Sequence, residues 1–92
     1  MKPYNELSLD EKIACISLYP EEAKKDEDFD IRLEAYRALG FTDEAKKDVY
    51  WSIRREAYRR LGFTEEAKKD EDVDIRREAL IYFNILGERN NP

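Results

Sequence analysis

The chain has 92 residues, 42% of them charged and 41% hydrophobic, with 17 basic and 22 acidic side chains for a net charge of −5. That length makes one domain, and the acidic balance gives no general attraction to phosphate, so nucleic acid is not the expected partner. With no histidine anywhere, histidine metal sites, catalytic triads and imidazole acid–base pairs are excluded; with Cys15 alone, so is an internal disulfide, and a lone thiol suits a reducing compartment.

The opening MKPYNELSLDEK holds no apolar run of signal-peptide length, and no stretch approaches a membrane span, so a cytoplasmic protein is expected. Ser8 with Glu11 three residues on forms a capping box, and a helix follows to about Leu18. Pro20 then suits the first turn of a stub helix, EEAKKD at 21–26. That hexapeptide returns as DEAKKD at 43–48 and EEAKKD at 65–70. Out of phase with it, IRLEAYRALGFT at 31–42 returns as IRREAYRRLGFT at 53–64, and IRREAL opens at 75. A fixed period of 22 residues is the signature of stacked repeats, here about four units at 1–26, 27–48, 49–70 and 71–92.

In the second unit Asp28 or Asp30 caps a helix of about 29–39, Gly40 stops it in a left-handed conformation, and Thr42 caps the stub. The third unit repeats the plan over 51–61, with Ile53, Ala57 and Leu61 on one stripe, Gly62 as stop and Thr64 as cap. Glu65 and Glu66 in the stub's first turn and Lys68 and Lys69 in its last match the helix dipole. The fourth unit is atypical: its helix carries on through Leu80–Leu86 to a stop at Gly87, with no stub after it. The expected architecture is all-α, a short right-handed α-solenoid in which each unit is a long helix plus a stub of α or 3-10 type.

Laid out at 100° per residue, the helix 29–39 puts Ile31, Ala35 and Leu39 near 0–80°, Arg32 near 100°, Tyr36 near 140° and Phe29 near 160°. An arginine therefore falls inside the apolar arc of each regular unit: Arg32, Arg54 and Arg76. A guanidinium so placed needs a partner, and the acids recurring in step are Asp26, Asp48 and Asp70. A structural ladder of these six residues is expected, with Asp48 relying on Arg54.

The motif Asp-x-Asp-x-x-Ile-Arg-x-x-Ala-x-x-x-Leu-Gly, seen as Asp26-Glu27-Asp28-Phe29-Asp30-Ile31-Arg32 through Leu39-Gly40, resembles HEAT-like repeats of the phycobilisome-lyase type. The short stub and compact period look more like the leucine-rich repeat variant family. The resemblance covers about 21–86. It implies a right-handed α-superhelix and a role in macromolecular contact, with no catalysis. The 22-residue unit is shorter than usual in either family, and one cysteine cannot hold the iron–sulfur cluster associated with one variant-repeat protein.

Candidate chemistry is sparse. Asp26-Glu27-Asp28 and Asp70-Glu71-Asp72 carry oxygen ligands for a hard cation, but no bidentate glutamate follows at loop spacing, and capped helix starts explain them as well. Cys15 has no histidine partner to make it a nucleophile. No cofactor is expected, and no enzyme. The third unit breaks the pattern: Tyr50-Trp51-Ser52 stands where the second and fourth have Asp28-Phe29-Asp30 and Asp72-Val73-Asp74, beside Arg55, Arg59 and Arg60. These are the residue types of binding hot spots. Against that, Trp51 is expected to pack between units, with Tyr50 facing either way. Arg37, Arg55, Arg59 and Arg77 form an outward stripe for an acidic partner or phosphate, unless pairs such as Glu56–Arg60 neutralise it. The expected function is a non-enzymatic protein-binding repeat module. Its alternatives are a phage-type inhibitor, for example an anti-CRISPR protein, that blocks a nucleic-acid-binding protein, and nucleic-acid binding through the arginine stripe. The apolar end helix 79–86 would also allow a homodimer.

Overall fold

The computed structural model describes residues 2–89, and among them all regular structure is helical. A 3-10 turn at Tyr4–Glu6 leads to α1 (Leu9–Ala14), a second 3-10 turn (Ile16–Leu18) and α2 (Pro20–Lys24). Then come α3 (Phe29–Leu39), a 3-10 stub (Asp43–Lys47), α4 (Trp51–Leu61), a second stub (Glu65–Lys69) and α5 (Val73–Arg89). The long helices thus start at 29, 51 and 73, in step with the sequence period. The body measures 59 × 23 × 16 Å with a radius of gyration of 16.1 Å, against about 12 Å for a compact chain of this size. Elements therefore meet their sequence neighbours in series.

The core is three small clusters in a row. The first joins Ile16, Ala23, Ile31 and Ala35, with Tyr4 against it. The second joins Tyr36, Ala45, Ile53 and Ala57; the third joins Tyr58, Ala67, Ile75 and Ala79. Each takes one side chain from the element before the stub (the 3-10 turn at Ile16 in the first, the long helix in the others), the stub alanine, and the isoleucine and alanine of the following helix. Ala23, Ala45 and Ala67 are wholly buried, so the stub lies directly on the helix after it, where a larger side chain would push it away. Leu39 and Leu61, expected on the buried stripe, are exposed, while Tyr36 and Tyr58 are buried in their place. The stub returns over the tyrosine side of the helix, and Phe41 and Phe63, just past the glycines, stack on those tyrosines at 5.6 Å.

Gly40 and Gly62 end their helices with φ of 107° and 104° and ψ near 142°. This is the extended positive-φ region that only glycine enters readily, rather than the compact left-handed cap expected. Gly87 lies inside α5 and stops nothing; no Phe-Thr follows it to turn the chain back. The first helix also differs from expectation. It yields at Cys15 to a 3-10 turn, and Tyr19, pushed from the helical region by Pro20, separates that turn from α2. The capping box at Ser8 and Glu11 is formed, and the Asp28 carboxylate accepts from the Asp30 amide. Thr42 and Thr64 occupy N-cap positions with extended backbone, but their side chains accept no capping bond.

Charged pairs join the units. Arg32 donates from Nε and Nη2 to the two oxygens of Asp48, both at 2.9 Å, and from Nη1 to the carbonyls of Asp26 and Glu27. Arg54 repeats this with Asp70 at 2.9 and 2.8 Å and with the carbonyls of Asp48 and Val49. The acid that each arginine grips is therefore the one sixteen residues ahead, not the one six residues behind, which offers only its backbone. Each aspartate also accepts from the amide two residues on, at Asp28, Tyr50 and Asp72. Asp26 has no arginine before it; Lys12 at 3.2 Å and the Tyr4 hydroxyl take that place. Burial pushes the Asp70 carboxyl up, but the Arg54 guanidinium and the Asp72 amide outweigh it and hold the group below the usual range. Asp26 is likewise lowered on balance, against its burial, by the Tyr4 hydroxyl, the Asp28 amide and Lys12.

Removing one partner of such a pair strands the other. Arg54→Ala is expected to cost about 3 kcal/mol, against under about 0.5 kcal/mol for the exposed Arg77→Ala. Because a depressed carboxyl stabilises the fold above its unfolded pKa of about 4 and loses that contribution as pH falls through its folded value, the Arg54→Ala penalty should shrink in acid. Urea titrations of both variants at pH 7 and pH 3 measure this; equal losses for the two at pH 7 would contradict the assignment.

Candidate functional site

The site grows from the start of α4. In α3 and α5 the residue before the helix is an aspartate whose carboxylate accepts helix amides, Asp28 from Asp30 and Asp72 from Asp74 and Ile75. In α4 that position is Tyr50, which has N-cap backbone geometry and makes no side-chain cap. A missing cap costs about 0.5–2 kcal/mol. What stands there instead is an aromatic surface.

The Tyr50 ring stacks on Phe29 of the preceding helix, 4.0 Å between centroids and 18° between planes. Trp51 follows at 6.2 Å from Tyr50, and the Arg55 guanidinium lies over the indole at 4.9 Å. Phe29 and Trp51 are 37% and 38% exposed, and Val49 beside them is 89% exposed. Trp51 is thus at the surface, contrary to the expectation that it packs between units, and Tyr50 is half-buried. The reason is the register. Position 51 matches Phe29 and Val73, also exposed, at the outer edge of the helix start, while the seam is filled by Ile53 and Ala57. Below the strip runs a groove of about 240 Å³ lined by Val49, Tyr50, Trp51, Arg54, Glu71 and Asp72.

Tyr50, Trp51 and Arg55 are brought together; Arg59 and Arg60 turn to other partners. Arg59 pairs with Glu78 of the next helix at 2.6 Å. Arg60 pairs with Glu56 at 3.3 Å and lies over Phe41. Arg37 grips Glu56 with two bonds, at 3.1 and 2.9 Å. In the outward stripe Arg37 and Arg59 therefore bridge consecutive helices through glutamates, and Arg77 faces Asp74 at 3.8 Å. Phe29 and Val49 belong to the strip too, although the sequence marks neither as a binding residue. The signal was there: Phe29 shares the column of Trp51, one repeat earlier.

The acidic runs are used locally, with Asp26, Asp28, Asp70 and Asp72 accepting backbone amides. Among the described residues no group of three His, Cys, Asp or Glu side chains is arranged to hold a metal ion, and no helix is long and apolar enough to cross a membrane. Cys15 is half-buried in the turn after α1. Set against known proteins, the chain matches no family model, no curated protein and no solved structure.

Trp51 is the only tryptophan, so its emission reports on the strip alone. Native protein should be quenched readily by acrylamide, and Arg55→Ala, which uncovers one face of the indole, should raise the quenching constant further. A blue-shifted emission that resists quenching would place the indole in the core and overturn the assignment.

Proposed function

We propose that the chain is a short α-solenoid of about four 22-residue units, similar to HEAT-like and leucine-rich-variant repeats, and that it acts as a non-enzymatic protein-binding module through the aromatic strip on α4. The observation that carries this reading is the replacement of a capping aspartate by Tyr50, whose ring stacks on Phe29 beside the exposed Trp51 and so trades a helix cap for aromatic surface. The regular start positions, the elongated body and the seam-by-seam arginine pairs support the architecture. Trp, Tyr and Arg held together on a rigid helix end suit a hot spot, since little ordering is lost on contact. The glutamate bridges to Arg37 and Arg59 favour a protein over a nucleic acid as partner, because those guanidinium groups are already neutralised.

Capture from the native host on immobilised full-length chain tests the reading, with Trp51→Ala and Tyr50→Asp as controls. Tyr50→Asp restores the cap, worth about 1 kcal/mol, while losing a stack of similar worth, so its stability should change little. Wild type should retain a partner that Trp51→Ala binds about 30-fold more weakly, a hot-spot loss of about 2 kcal/mol. Equal retention by both variants would exclude the strip. A captured protein that itself binds nucleic acid would identify the inhibitor form of the same function.

A further inference from the structure

Among the described residues the bidentate ladder stops short of Arg76. Arg32 and Arg54 each use Nε and Nη2 on the aspartate of the following unit and Nη1 on two carbonyls of their own connection. Arg76 repeats only the second half, with Nη1 donating to the carbonyls of Asp70 and Glu71. Among the described residues its Nε and Nη2 meet no acceptor, and sixteen residues on, where an aspartate would complete the register, the sequence has Pro92.

The apolar half of the same seam is open too. Tyr36 and Tyr58, four residues after their arginines, are buried against the next unit's alanine and isoleucine. Leu80 holds that position in α5 and is 53% exposed, with Ile81 beside it equally so. This face of α5 is therefore one half of an interface whose other half occurs twice inside the molecule. That complement is a 3-10 turn with alanine three residues before a terminal aspartate (Ala45 with Asp48, Ala67 with Asp70), then a helix presenting isoleucine and alanine.

We propose that the Arg76–Leu80 face of α5 docks a carboxylate-bearing turn-and-helix segment of a partner protein, in the register that Asp48 and Asp70 use internally. A guanidinium with two parallel donors in a half-apolar setting selects a carboxylate held in plane over other acceptors. A second copy of the chain is a poor occupant. Its ladder aspartates are engaged by Lys12 and Tyr4, by Arg32 and by Arg54, and apposing two such faces would bring Arg76 against Arg76. This surface is separate from the aromatic strip, so either can fail without the other.

The probe is a synthetic peptide copying residues 43–61, the internal complement of the seam, titrated into the isotopically labelled full chain. The Arg76 Nε–H and Leu80 methyl resonances should move on addition. The Asp48→Asn peptide should bind at least about tenfold more weakly, as loss of a charge-assisted hydrogen bond requires. Leu80→Asp in the protein, at an exposed position that leaves the fold intact, should abolish the shifts with helicity unchanged. No shift at millimolar peptide, equal binding of the Asp48→Asn peptide, or shifts confined to Tyr50 and Trp51 would overturn the proposal. So would sedimentation showing that peptide-free protein is already a dimer that Leu80→Asp dissociates.

Discussion

The bidentate pairing of an arginine in one unit with an aspartate in the next is the constraint on which the rest of the structure depends. Asp48 and Asp70 each close a stub, accept the amide that turns the chain into the following helix, and receive a guanidinium from the helix behind. Each arginine ties that carboxylate to the backbone of its own connection. The Arg32 and Asp48 side chains are only 12% and 8% exposed, so the pair is desolvated, and it persists because the guanidinium nitrogens all have acceptors and the carboxylate also accepts from the Tyr50 amide. The apolar clusters beside it are small and chemically alike, and alone they would tolerate sliding of one unit on another. A planar fork gripping a planar carboxylate does not slide.

Much of this was legible in the sequence, because the repeat exposes the register. Arginine inside an apolar arc demands a partner, and only three aspartates recur in step. What the sequence could not fix was which acid belongs to which arginine. A helical wheel gives the direction in which Arg54 points; whether it meets Asp48 or Asp70 depends on the path of the stub, which brings the later acid around. The same path decides burial. Leu39 and Leu61 look as apolar as Tyr36 and Tyr58, but the stub covers the tyrosines. Gly87 reads like Gly40 and Gly62 until the residues after it are considered, since only the earlier two are followed by a phenylalanine that stacks back.

The two ends of the ladder are treated differently. At the start, Tyr4 and Lys12 replace an arginine on Asp26, and burial together with that carboxylate raises the Tyr4 phenol well above its ordinary range. The N-terminal end is thereby closed. At the other end Arg76 keeps its carbonyl contacts but, among the described residues, has no carboxylate partner, and Leu80 is exposed in the position of the buried tyrosines. Between them, α4 departs from its sister helices at its start, where the capping aspartate gives way to Tyr50 next to Trp51. The start of α4 and the Arg76–Leu80 face of α5 depart from the pattern of the other units, and those are the two surfaces proposed for contact.

The most direct test of the ladder is a double-mutant cycle on Arg32 and Asp48, measuring unfolding free energies of Arg32→Ala, Asp48→Ala and the pair by urea titration. A desolvated bidentate pair predicts a coupling energy of at least about 1.5 kcal/mol, with the double variant far less damaged than the sum of the singles. Losses that add to within about 0.3–0.5 kcal/mol would mean that the two side chains act independently, and the seam would then owe its register to something else.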